Sequence, residues 1–282
     1  MRKTALWKCL LVTAIFLSAA PLTAQAAADG QQNADQNGAA DSWVTYEGSR
    51  YRVREDGSRY ESAWFSVISA GNLPSSKPTA LWYYAGPDGR IYTNGWYEIG
   101  GRQYYFYQGG NSPRKTFFNL EDKWYYVDEN GARPEPGWLS VSGTDSKGNA
   151  YTNWYYVQPD GSLLRNGWHV IDGKDCYFDA NGLNYRKRWF NLEDSRFYVD
   201  EEGDRKEGWF AISGVNSNGQ EYSNWYYADA NGAVWRGGWA QLDGSWYYFD
   251  ANGLNYRKRW YTDDQGEWYY LDEDGYMAKD QV

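Results

Sequence analysis

The chain has 282 residues, with 28 basic against 37 acidic side chains, a formal net charge of −9, and aromatic residues at 20% of positions. That acidic surplus argues against nucleic acid as a partner, because such binding relies on neutralising phosphates with Lys and Arg. A mean hydropathy of −0.84 alongside 17 Trp and 28 Tyr excludes the usual core of Leu, Ile and Val. Flat rings that both pack and present a face must take its place.

In chain order, residues 1–26 read as a secretion signal. Met1-Arg2-Lys3 with Lys8 gives a basic start, Cys9 to Ala20 a short apolar stretch, and Ala24-Gln25-Ala26 a cleavage site. The apolar run is too short to span a bilayer, and no later segment is more apolar, so no membrane span is expected. Cleavage removes Arg2, Lys3 and Lys8, leaving 25 basic residues against 37 acidic and a net charge of −12. It also leaves Cys176 as the one cysteine, so no internal disulfide is expected. Residues 27–42, made of Ala, Gln, Asn, Asp and Gly with no aromatic, read as a disordered spacer. Residues 43–63 read as a degenerate N-terminal hairpin.

From residue 64 the chain repeats itself. Gly137-Trp138 returns as Gly208-Trp209, and Asn153-Trp154-Tyr155-Tyr156 as Asn224-Trp225-Tyr226-Tyr227. The eleven residues Asp179 to Trp189 recur unchanged as Asp250 to Trp260, all at an offset of 71. Trp82-Tyr83-Tyr84 and Asn94-Gly95-Trp96 belong to an earlier copy. Three modules follow, 64–137, 138–208 and 209–282. Each contains three shorter units that read Trp, then Trp-Tyr-Tyr, then a Gly turn. Trp82 to Trp96, Trp124 to Trp138, Trp154 to Trp168, Trp225 to Trp239 and Trp246 to Trp260 are all 14 residues apart. Short runs of Tyr, Trp, Phe and Val favour strands. Pro87-Asp88-Gly89, Asn130-Gly131, Asn181-Gly182 and Asn252-Gly253 supply the positive φ of tight hairpin turns. Ser142 to Thr152 and Ser213 to Ser223 read as protruding loops. No helical period is sustained, and a lone hairpin is marginal in water. The fold class is therefore all-β, a solenoid of stacked β-hairpins.

The cadence of Gly-Trp, Trp-Tyr-Tyr, Gly and Gly-Trp resembles the choline-binding and glucan-binding repeats of Gram-positive surface proteins. The resemblance covers residues 64–282. It implies ligand sites between consecutive hairpins, where rings of one unit and the Trp opening the next enclose a choline headgroup or stack on sugars. The first and third residues of Trp-Tyr-Tyr share a strand face. This groups Trp82 and Tyr84 with Trp96, Trp124 and Tyr126 with Trp138, Trp154 and Tyr156 with Trp168, Trp225 and Tyr227 with Trp239, and Trp246 and Tyr248 with Trp260. Three rings around a gap suit a quaternary ammonium, and several weak cages facing a repetitive polymer gain by effective concentration.

The chain departs from that pattern in places. Its Trp-Tyr-Tyr to Trp spacing is one residue longer than the common choline-binding form, and the Met that often follows the turn Gly survives only as Met277. Gln103, Asp175 and Arg196 replace the first aromatic of their units. Cys176 stands where sister modules carry Tyr104 and Tyr247, which reads as a packed substitution. Arg186-Lys187-Arg188, Arg257-Lys258-Arg259 and Arg114-Lys115 recur before an aromatic residue, either as solvated strand or as phosphate contacts. Trp268 and Tyr270 have no following unit and either cap the array or pair with a second copy in a homodimer.

Nothing points to catalysis. His169 is the only histidine, too few ligands exist for a His/Cys metal site, and Glu121-Asp122, Glu193-Asp194 and Asp263-Asp264 sit at turns in all three modules. The expectation is a secreted, cell-wall-associated, non-enzymatic protein without a cofactor. Its partner is a cell-wall polymer, namely choline-bearing teichoic acid or a related surface polymer. An α-glucan binder and a structural or adhesive protein whose rings only pack are the alternatives.

Overall fold

A computed structural model describes residues 41–69 and 78–278. The signal segment and the spacer as far as residue 40 lie outside the described residues. The last two spacer residues belong to the first hairpin instead: Ser42 opens a strand, and buried Asp41 lies 3.8 Å from Arg52 Nε and accepts a 2.8 Å hydrogen bond from the Tyr60 hydroxyl.

Every strand pairs with its sequence neighbour in an antiparallel, two-stranded hairpin, and the chain divides into two compact units. The first unit, which among the described residues takes in 41–69 and 78–135 with 160–162, holds four hairpins. They pair β1 (Ser42–Tyr46) with β2 (Ser49–Val53), β3 (Ala63–Ser69) with β4 (Thr79–Ala85), β5 (Gly95–Ile99) with β6 (Arg102–Phe106), and β7 (Thr116–Leu120) with β8 (Lys123–Val127). The second unit, which among the described residues takes in 136–159 with 163–278, holds six. Here β9 (Gly137–Thr144) pairs with β10 (Ala150–Val157), β11 (Gly167–Ile171) with β12 (Lys174–Phe178), and β13 (Arg188–Leu192) with β14 (Ser195–Val199). The last three join β15 (Gly208–Val215) to β16 (Glu221–Ala228), β17 (Gly238–Leu242) to β18 (Ser245–Phe249), and β19 (Arg259–Thr262) to β20 (Trp268–Leu271). The architecture is thus all-β and built of repeated hairpins. No helix of the described residues is long and apolar enough to cross a membrane.

Strand alternation sorts the aromatic triple. Its second ring and the residue after the triple face inward, as in Tyr83 with Ala85, Tyr104 with Phe106, Tyr125 with Val127 and Tyr247 with Phe249. Ala85, Phe106, Val127, Phe178, Val199, Phe249 and Leu271 are wholly buried. This fourth position forms the innermost layer, and the sequence reading overlooked it.

The turns also fall differently from expectation. The turns expected to cap hairpins, Pro87-Asp88-Gly89, Asn130-Gly131, Asn181-Gly182 and Asn252-Gly253, instead join one hairpin to the next. Asp250 shows why: its Oδ1 accepts hydrogen bonds from the amides of Asn252 (2.8 Å) and Leu254 (2.9 Å), while Gly253, at φ +85°, donates to the Asp250 carbonyl. Many hairpin tips are two-residue turns in which positive φ recurs, such as Glu121-Asp122 (φ 48° and 63°) and Asp243-Gly244 (48° and 82°). Such turns match the strand twist. The two expected long loops are in fact strand. Ser142 pairs with Thr152 and Ser213 with Ser223, with hydroxyl–hydroxyl bonds of 2.8 and 3.0 Å, and only short turns close them.

Successive hairpins within a unit are tied by single backbone bonds. Ser112 N donates to Trp82 O, Asn184 N to Trp154 O, Asn255 N to Trp225 O, and Met277 N to Trp246 O. One bond per junction is worth about 0.5–1.5 kcal/mol net, so ring packing must supply most of the cohesion.

Candidate ligand-binding site

From the second hairpin on, each is opened by an aromatic residue directly opposite the third ring of its own triple; in the first, Trp43 faces Arg52 instead. The strand register pairs Trp64 with Tyr84, Trp96 with Tyr105, Trp138 with Tyr156, Trp209 with Tyr227 and Trp239 with Tyr248. Ring centroids in these pairs are 5.2–5.4 Å apart. The opener then packs on the second ring of the following hairpin: Trp64 on Tyr104 (4.9 Å), Trp96 on Tyr125 (5.3 Å), Trp209 on Tyr247 (4.7 Å) and Trp239 on Tyr269 (5.0 Å). In the middle module Trp138 packs instead against the cluster of Ile171, Cys176 and Phe178. Cys176 is fully buried there, and burial pushes its thiol pKa up to about 11.

This register corrects the sequence-based grouping. Trp82 and Tyr84 do share a face, as do Trp154 with Tyr156, Trp225 with Tyr227, and Trp246 with Tyr248. The third wall is the opener of the same hairpin, so Trp64, Trp138, Trp209 and Trp239 take the places assigned to Trp96, Trp168, Trp239 and Trp260. Trp124 and Tyr126 go with Phe117, which lies 4.7 Å from Tyr126, whereas Trp138 falls in the other unit. The physical reason is the antiparallel pairing itself. It sets the opener against the third ring, and the intervening Gly turn carries the next Trp on to its own hairpin. Trp96, Trp168 and Trp260 are therefore walls of their own hairpins. Trp64 and Trp209 were missed, although their place at the head of a strand is the same signal that marks Trp96.

The first ring of the triple lies apart from this packing. Six of the ten hairpins carry Trp there, namely Trp82, Trp124, Trp154, Trp225, Trp246 and Trp268, while Arg50, Gln103, Asp175 and Arg196 hold the position elsewhere. Trp246 is 40% exposed and Trp268 68%. Trp260, 5.1 Å from Tyr270 and 6.3 Å from Trp268, is 55% exposed, which leaves the last hairpin with an open face of three rings.

Three of the other first-position rings are covered by arginine. Arg114 lies 4.1 Å from the Trp82 ring and 5.1 Å from Trp64. Arg186 is 4.2 Å from Trp154 and 4.9 Å from Trp138, and Arg257 is 4.4 Å from Trp225 and 5.8 Å from Trp209. Burial lowers the pKa of all three guanidiniums, yet arginine stays protonated. A desolvated cation–π contact of this kind contributes about 2 kcal/mol. The rest of the two later basic clusters is also engaged internally: Lys187 pairs with Glu201, Lys258 with Glu273, and Arg188 and Arg259 lie over Tyr185 and Tyr256. Among the described residues no cation covers Trp246, Trp260 or Trp268, and no group of three His, Cys, Asp or Glu is placed to hold a metal.

The chain is thus an all-β aromatic repeat protein whose indole and phenol rings form cation-holding clamps. Four stretches, residues 115–132, 220–234, 237–254 and 258–277, match the choline-binding family of cell wall binding repeats. Among solved structures, CbpJ from Streptococcus pneumoniae TIGR4 is 22% identical, with 87% of this chain and 93% of that one covered and a TM-score of 0.56, and shares the fold. Choline binding protein F from Streptococcus pneumoniae is 21% identical over 87% of this chain and 98% of that one, with a TM-score of 0.36. The modular autolysin LytC from the same species is 25% identical over 84% of this chain and 42% of that one, with a TM-score of 0.34. No curated protein sequence matches the chain.

Proposed function

We propose that this is a secreted, wall-associated binding protein that recognises choline-bearing teichoic acid or a related surface polymer, without catalysing a reaction. The observation that carries the reading is the indole at the first position of the triple. The hairpin folds equally with Gln103 or Asp175 there, so Trp246 and Trp268 are not needed to close the core and remain exposed. Trp239, Trp246 and Tyr248 form one clamp, and Trp260, Trp268 and Tyr270 a second. Exposed Trp246 in the first, and exposed Trp260 and Trp268 in the second, offer π-faces to a quaternary ammonium, while Tyr248 is itself stacked on Tyr261. Two such sites on one chain act together on a polymer that repeats the headgroup. The first position is where a binding role and a purely structural role part company, since openers and third rings serve packing in any case.

The test is retention of the mature chain on a choline column and its release by free choline. Trp246→Ala and Trp268→Ala should each weaken retention, and Asp175→Ala should not. Retention on dextran, indifferent to choline, would replace this reading with a carbohydrate-binding one. Binding to neither matrix would leave a scaffold. The exposed rings of the last hairpin are also the proposed contact with a second copy. Concentration-dependent sedimentation of the parent, lost in Trp268→Ala, supports that contact, and a monomer at all concentrations removes it.

A further inference from the structure

We propose that Arg114, Arg186 and Arg257 are resident occupants of three aromatic clamps, and that they keep external quaternary ammonium groups out of the first hairpin of each module. The inference rests on the reading above only in taking the ligand to be such a cation. The guanidinium lies where a ligand cation has to lie, 4.1–4.4 Å from the first-position indole and within 5.8 Å of the opener. The same contact appears three times at the module spacing.

The arrangement is built by the chain. Lys115, Lys187 and Lys258, each next to the arginine, adopt φ of 43°, 43° and 49°. Beside that left-handed step the arginine reaches back past the hairpin it has just left to the one before it, while the chain runs forward into the next strand. In two modules an asparagine fixes the guanidinium: Asn184 Oδ1 accepts from Arg186 Nε at 2.8 Å, and Asn255 Oδ1 accepts from Arg257 Nε at 3.0 Å. Both asparagines are buried, and their Nδ2 atoms donate to the Tyr177 and Tyr248 carbonyls. Ser112 takes the asparagine's place in the first module, and there Arg114 reaches the Glu129 carbonyl at 3.5 Å. Arg186 also lines, with Thr152, Asn153, Trp154, Asn184 and Arg188, the groove that leads to the Trp154 ring. A trimethylammonium group approaching that indole meets a cation already in place. Such a group has no N–H with which to replace the bond to Asn184. Among the described residues no cation covers the first ring in the last two hairpins.

The experiment is calorimetric titration of the mature chain with choline, comparing the parent with Arg114→Ser, Arg186→Ser, Arg257→Ser and the triple variant. Each single substitution should add one choline equivalent and the triple variant three. An unchanged stoichiometry in variants with parental near-UV circular dichroism would overturn the proposal. Crystals of the unaltered protein soaked in choline give a readout that does not depend on the variants folding. The three guanidiniums staying on their indoles supports the proposal, and choline displacing them refutes it. A parent that binds no choline while the variants do would sink the wall-binding reading and leave this one intact. A parent that binds choline with a stoichiometry indifferent to the substitutions would do the reverse.

Discussion

The ring register makes a quantitative prediction that separates it from the grouping suggested by sequence spacing. Trp209 touches Tyr227 at 5.3 Å, Tyr247 at 4.7 Å and Phe249 at 5.8 Å. Aromatic pairs contribute about 0.5–1.5 kcal/mol beyond their buried area. Losing three of them in Trp209→Leu should therefore cost about 1.5–4.5 kcal/mol, with leucine keeping some apolar volume. The decisive quantity is the coupling in a double-mutant cycle. Trp209→Leu with Tyr247→Leu should show about 0.5–1.5 kcal/mol of interaction. Trp239→Leu with Tyr227→Leu, the pair that spacing groups together, should be additive within about 0.3–0.5 kcal/mol. Urea unfolding of the four single and two double variants, followed by tryptophan fluorescence and far-UV circular dichroism, gives both numbers. Coupling between Trp239 and Tyr227 equal to or above that of Trp209 and Tyr247 would refute the register.

Other consequences are simpler to check. Gly131 sits at φ +82°, and an added Cβ would meet the Pro113 carbonyl at 2.9 Å, whereas Gly148 at φ +87° faces open space. Gly131→Ala should therefore destabilise by at least about 1 kcal/mol more than Gly148→Ala, and equal melting temperatures would count against the packed turn. Cys176, buried with its thiol pKa raised to about 11, should ignore a thiol reagent at pH 8 until denaturant is added; prompt labelling of the native chain would contradict its burial. The Tyr248 hydroxyl is held well above the usual 10, first by burial and then by its hydrogen bond with Tyr261. The unfolded chain thus loses this proton first as pH rises, so the native state's advantage is whole below about pH 10 and shrinks above it. Phenolate absorbance should lag behind that of free tyrosine and rise together with unfolding, and a titration matching free tyrosine throughout would rule this out.

Much of the fold was legible because two periods coincide in the sequence. Alternation within Trp-Tyr-Tyr fixes the strand, and the recurrence of Gly-Trp fixes the unit, so the hairpin array follows before any contact is known. The partner of each ring was less accessible. A spacing of 14 residues says that Trp82 and Trp96 are equivalent, but equivalence in a repeat is not contact. Cross-strand register decides contact, and it depends on where the tip turn lies. Asn130-Gly131, Asn181-Gly182 and Asn252-Gly253 carry a strong turn signal yet serve the joints between hairpins, while tips are made both by Asp-Gly, as at Asp243-Gly244, and by weaker signals such as Glu121-Asp122, so the dipeptide alone does not tell tip from joint. Arg186 was equally opaque. A basic run before a strand looks solvated until the left-handed Lys187 turns its neighbour back onto two indoles.

The division of labour among the rings follows from these contacts. An opener such as Trp209 is engaged on two sides, by its own hairpin and by the next, so any ligand drawing on it competes with the cohesion of the array. The second ring and the fourth residue are buried and have no face to offer. Only the first ring is both aromatic and dispensable for packing, because Arg50, Gln103, Asp175 and Arg196 hold that position without loss of the hairpin. Binding can therefore be varied from hairpin to hairpin at one position per repeat, with little effect on the stability of its neighbours. Adding an indole there creates a clamp, and adding an arginine two residues beyond the next junction fills it. Removing Arg257 should then change ligand stoichiometry by one while the melting temperature moves far less than it does for Trp209→Leu.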